Sequence, residues 1–97
     1  MHTIESIREA VTPLAIKYNV QKVELFGSYA NGTATEKSDA DFMVLFDPPI
    51  ISLFKVMGFK ESLKNNLGIP VDLLTLPLEN MPDIFRIDKV VDIYERS

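Results

Sequence analysis

No cysteine occurs anywhere in the 97 residues. Disulfides and thiolate metal centres are thereby excluded, a composition that suits a reducing cytoplasm. Long apolar runs are missing too, and no charged-then-apolar leader opens the chain, so neither a membrane span nor a secretory signal is expected. Positive charge is scarce: the net charge of −4 speaks against a surface built to track nucleic-acid phosphates. It does not speak against a pocket that holds one nucleotide through a metal. The only histidine, His2, is expected in solvent at the terminus. What remains is the balance of an ordinary globular protein, 46% apolar and 25% charged, with room for a single domain over residues 1–97 and none for a separate substrate-binding module. A second substrate would then be supplied by another molecule.

Ile4, Ile7, Val11 and Leu14 recur at helical spacing, which predicts an amphipathic helix over residues 3–17 with Thr3 as N-cap. Asn19 suits the left-handed position past its end, while Pro13 should kink the last turn. Gln21 to Phe26 alternates as a strand, with Val23 and Leu25 on one face. Asp41 to Phe46 is nearly continuous in apolar residues, as in a strand covered on both faces. Phe26, Phe42 and Phe46 read as core. A second helix is predicted over 51–67, burying Leu53, Met57, Leu63 and Leu67 and capped by Gly68, with Gly58 weakening it by about 1 kcal/mol. Lys55, Lys60, Glu61 and Lys64 form its solvated face. Val71 to Leu76 reads as a third strand. Beyond Pro77 the pattern fits a short helix to about residue 88 and then an edge strand carrying Val91 and Ile93, although Ile84, Ile87, Val91 and Tyr94 also fit one longer helix.

Three features carry chemistry. Gly27-Ser28 follows a strand directly; glycine admits a sharp turn and the close approach of an anion, and a helix starting there aims amide groups at a phosphate. Taken alone, such a dipeptide is most often an ordinary turn. Ser38-Asp39-Ala40-Asp41 puts aspartates at i and i+2, on one side of a strand, where they repel unless a cation lies between them. A hard divalent ion such as Mg²⁺ satisfies carboxylate oxygens and shares its other positions with phosphates and water. An isolated Asp-x-Asp is usually a solvated turn, but here it leads straight into the buried run Phe42 to Phe46. Asp72, an acid within an apolar strand, is costly there unless paired or metal-bound, and could reach the same site if its strand lies beside the second one. It could also take the proton of an attacking hydroxyl.

Gly27-Ser28, ten intervening residues and Asp39-Ala40-Asp41 resemble the signature of the DNA polymerase beta-like nucleotidyltransferases. The stretch from Leu25 to Gly32 and on through Ser38 to Asp41 is similar to the minimal nucleotidyltransferase (MNT) group, Val71-Asp72-Leu73 to its third-carboxylate strand, and Val90 to Glu95 to its closing segment. The resemblance implies an α/β (α+β) fold, a small mixed β-sheet with helices packed on one face. It implies that Gly27, Ser28 and Ser38 bind the nucleotide, and that Asp39, Asp41 and Asp72 serve as catalytic groups and ligands for two Mg²⁺ ions. It also implies ATP as substrate, a HEPN-type toxin as partner in a hetero-oligomer, and transfer of AMP to a tyrosine hydroxyl of that toxin, an antitoxin function. Members commonly carry an arginine where this chain has Asn31, which removes a cationic contact. The alternative implied is an MNT-fold module that neutralises a toxin by contact alone.

Overall fold

Thr3 and Ser6 open the first helix. The Thr3 hydroxyl accepts from the Ser6 amide at 3.0 Å and Ser6 Oγ accepts from the Thr3 amide at 2.9 Å, so both cap donors are satisfied reciprocally. The resulting helix α1 (Ile4–Lys17) accommodates Pro13 without stopping, and Asn19 behind it takes a left-handed φ of 58°. The computed structural model describes residues 2–48, 52–76 and 89–96. Within them follow β1 (Val20–Phe26), α2 (Ser28–Asn31), β2 (Ala40–Phe46), α3 (Leu53–Leu67), β3 (Val71–Leu76) and β4 (Val91–Glu95).

The strands form one mixed sheet in the order β3-β2-β1-β4, with β2 and β3 parallel and β1 antiparallel to both its neighbours. β2 lies between β1 and β3; its helix-facing residues are buried, as is Met43 on the other face, where Asp41 and Leu45 are only half-buried, so the expected cover on both faces is partial. Phe42, Val44 and Phe46 point to the face where α1 and α3 pack against each other and against the sheet. Asp41, Met43 and Leu45 alternate to the opposite face. That the helices occupy one face agrees with the expected architecture. At the far edge β4 is the strand expected from Val91 and Ile93, which rules out the longer helix there; the helix expected up to residue 88 lies outside the described residues. Arg8 fastens α1 to β4, donating to the carbonyls of Asp92 at 2.8 Å and Ile93 at 3.2 Å.

Two expectations are corrected. Helix α3 does begin at a cap, Ser52, and end at Gly68 in the left-handed conformation, yet its buried residues are Phe59, Leu63 and Leu67. Leu53 and Met57 stand 71% and 57% exposed. They lie roughly a third of a turn away from the Phe59–Leu63 line, and the helix is rotated to bury the larger ring. Phe59 packs edge-on against both Tyr18 and Phe46, each at 5.6 Å between centroids. Gly58 serves that packing, since a Cβ there would lie 3.3 Å from the Tyr18 hydroxyl oxygen. The second correction concerns His2, which is half-buried. It sits 3.0 Å from Ser6 Oγ through Nδ1 and donates through Nε2 to the Leu67 carbonyl, tying the start of the chain to the end of α3. The α3 phase has a measurable consequence. Phe59→Ala is expected to lower the unfolding free energy by about 3–5 kcal/mol, whereas Leu53→Ala should change it by less than about 0.5 kcal/mol, both read from denaturant midpoints.

Candidate active site

The site is assembled where β1 ends. Gly27 takes φ 76° and ψ −153°, a region open essentially to glycine alone, and this turns the chain from β1 into α2. The same glycine sits against Asp41: a Cβ at position 27 would overlap Asp41 Oδ2 and lie 3.3 Å from its Cγ. Position 27 therefore needs glycine twice, for its backbone and for the carboxylate beside it. Ser28 opens α2, whose first amides have no partner within the helix. It is half-buried, and its hydroxyl makes no hydrogen bond to another described residue.

The carboxylates come from the neighbouring strands. Asp41 pairs with Phe26 of β1 on one side and with Asp72 of β3 on the other. In-register neighbours share a face, so the Asp41 and Asp72 side chains meet on the side of the sheet opposite α1 and α3. Burial raises the Asp41 pKa above the ordinary carboxylate value; the negative charges of Asp72 and Asp39 and a hydrogen bond shared with Asp72 add to it. Asp39 itself lies one residue before β2, exposed, and acts on Asp41 through its field. Ser38 takes a different position: its hydroxyl accepts from the Thr35 amide at 2.8 Å while its amide donates to the Thr35 carbonyl at 3.0 Å, closing the turn that leads into Asp39. Phe26 was expected in the core beside Phe42 and Phe46. It is only half-buried and stands across from Asp41, walling the site. The strand alternation carried that signal, since Phe26 is out of step with Val23 and Leu25.

Among the described residues no three acidic or imidazole side chains are gathered into a ready-made metal cage. What is present is a contacting pair, Asp41 and Asp72, whose like charges call for a proton or a cation between them. Hard carboxylate oxygens of that kind fit a hard divalent cation, and Asp39 stands exposed on the adjoining loop. The electrostatics predict a pH dependence. A carboxyl whose folded pKa is raised binds its proton more tightly in the folded state. Its contribution to stability is present at low pH and is lost as pH rises from the ordinary value through the raised one. Measured without divalent ions, the wild type should lose stability relative to Asp41→Asn across that interval and run parallel to it above.

The nucleotidyltransferase domain model matches residues 4–95. The chain belongs to the nucleotidyltransferase domain family. Among its relatives is a protein of Methanocaldococcus jannaschii provisionally named a protein adenylyltransferase, 41% identical over 80 residues that make up 77% of this chain and 80% of that one. The protein adenylyltransferase MntA of Thermococcus cleftensis is 38% identical over 78 residues, 76% of this chain and 78% of its own. In fold the chain is similar to a solved complex of a tri-AMPylated Shewanella oneidensis HEPN toxin with its MNT antitoxin, at a TM-score of 0.72 and 18% identity, covering 97% of this chain and 74% of that one. Transfer of a nucleotidyl group is the chemistry for which that family is named. No helix among the described residues is long and apolar enough to cross a membrane.

Proposed function

We propose that this nucleotidyltransferase moves AMP from ATP to a hydroxyl group, a tyrosine's, on a HEPN-type toxin, and acts in the cytoplasm as that toxin's antitoxin. The observation that carries this reading is the contact of Asp41 with Asp72 across β2 and β3, directly beside the bare backbone of Gly27. In this reading the single domain supplies the nucleotide site and the partner supplies the acceptor. Gly27 and Ser28 cradle the phosphates, with the Ser38 turn holding the Asp39 loop at the rim. Asp39, Asp41 and Asp72 would hold Mg²⁺, which would supply neutralisation of phosphate charge and orientation of the leaving group. The acceptor oxygen attacks the α-phosphorus in line, its proton passes towards Asp72, and the bond to pyrophosphate breaks. The products are an AMP ester of the acceptor and free pyrophosphate.

The names of the relatives support the transfer, and the likeness to a toxin–antitoxin complex supports the partner. Asn31 favours a second reading, masking of the toxin by contact alone, because it is exposed at the end of α2 where the resemblance calls for a cation. Intact mass spectrometry separates the two. The protein, Mg²⁺, ATP and the protein encoded beside it are incubated together, with an Asp39→Ala/Asp41→Ala sample in parallel. One or more AMP units are expected on the partner with the wild type and none with the double variant. A partner inhibited in complex but unchanged in mass would leave masking as the function.

A further inference from the structure

Helix α3 presents an exposed sector that neither the fold nor the nucleotide site uses. Leu53, Phe54 and Met57 are 71%, 88% and 57% exposed. They adjoin Lys60, Glu61 and Lys64 on the following turns, because positions four and seven apart share a helix side. Apolar groups of that size, contiguous and unburied, mark interaction surfaces more often than solvent-facing ones. Their basic neighbours are the more telling, since this flank carries Lys60 and Lys64 against Glu61 in a chain of net charge −4. Neither Lys60 nor Lys64 has a carboxylate within ion-pair distance among the described residues.

This sector reaches the edge strand that carries Asp72, whose side chain faces the other side of the sheet. A cavity of about 350 Å³ lies between α3 and the start of β3, lined by Met57, Lys60, Glu61, Lys64, Pro70 and Val71. Val71 is the residue before Asp72, and the Pro70 carbonyl accepts from the Ala40 amide between Asp39 and Asp41 at 3.0 Å. A molecule seated on the cavity is thus one residue round the sheet edge from the carboxylate that would face the acceptor hydroxyl.

We propose that the outer flank of α3 and the rim of β3 form the surface on which the acceptor protein docks, through a partner face that combines apolar side chains with carboxylates. The proposal rests on the reading of a protein acceptor and adds where that acceptor sits. Charge selects the occupant. An acidic partner face complements Lys60 and Lys64, which have no carboxylate within ion-pair distance among the described residues. Docking here also leaves the open side of Asp41 and Asp72 accessible to nucleotide.

The test uses the protein encoded beside this chain as probe, with two surface variants, Met57→Glu and Lys60→Glu/Lys64→Glu. Titration calorimetry should show each variant losing at least tenfold in affinity for the probe, while the affinity of the isolated chain for an ATP analogue stays unchanged. The AMP gained by the probe should fall with the affinity. Asp41→Asn should do the opposite, keeping the association and losing the transfer. Association without transfer by the wild type would refute the catalytic reading and leave the docking surface standing. Equal affinity for wild type and both surface variants would overturn the surface, as would no association of the wild type at all. A dimer of the isolated chain that Met57→Glu dissociates would assign the flank to a second copy and overturn the proposal as well.

Discussion

Asp41→Asn is expected to cut AMP transfer at least about a thousandfold while raising the thermal stability of the metal-free protein. The two effects have one origin. Asp41 is held beside Asp72 with Asp39 nearby, partly buried, so its negative charge opposes folding when nothing positive is present. An amide of the same shape removes that repulsion and can still hydrogen-bond to Asp72. The charge it removes is the one proposed to hold the cation against the triphosphate. Metal-borne charge stabilisation contributes several kcal/mol to a transition state, and each ~1.4 kcal/mol lost is a factor of ten in rate. Gain in melting temperature together with loss of transfer is the signature of a functional carboxylate. A purely structural residue would lose both. Unfolding scans in chelator and mass-resolved transfer assays on the same preparation read the two halves.

Gly27→Ala should damage the protein in the other direction, losing stability and activity together. The backbone at φ 76° and ψ −153° alone costs a side-chain-bearing residue about 1–3 kcal/mol. The new methyl also collides with the Asp41 carboxylate, so something must move. An overall loss near ~3 kcal/mol of unfolding free energy is expected. Displacing Asp41 by a fraction of an ångström to an ångström should cost transfer about a hundredfold. Gly32→Ala is the control. It has φ 77° in the left-handed region, with nothing within 4 Å of an added Cβ, so only about 1–2 kcal/mol is expected and activity should persist. In an Asp41→Ala background the Gly27→Ala cost should shrink to its backbone part, which denaturant titration of the four proteins can resolve.

Much of this architecture is readable from local chemistry. The start of α1 and the end of α3 are marked by Thr3 and Gly68, whose roles depend on the neighbouring turn alone, whereas Ser52, inside the helix predicted over 51–67, is the cap of α3. The apolar density of β2 marks it as a buried strand, and the order of Gly27-Ser28 and Asp39-x-Asp41 is set by residues close in sequence. The Asp41–Asp72 contact required one assumption, that β3 lies beside β2, and their in-register parallel pairing supplies it. The misreadings involve distant partners. Helix α3 offers two overlapping apolar stripes, and Phe59 wins only because the rings of Tyr18 and Phe46 await it. His2 is held by the Leu67 carbonyl, 65 positions away, which no local pattern announces. Phe26 is the instructive exception: strand parity set it on the face opposite Val23 and Leu25, but its apolar side chain suggested the core.

The proposed metal–nucleotide site can be located directly with Mn²⁺, which carboxylate sites accept in place of Mg²⁺. Added in substoichiometric amounts with ATP to the isotope-labelled protein, it broadens the amide resonances of residues close to where it binds. Selective loss of the Gly27, Ser28, Asp41 and Asp72 signals, abolished in Asp39→Ala/Asp41→Ala, is the expected result. Broadening centred elsewhere, or surviving in that variant, would contradict a cation held between β2 and β3.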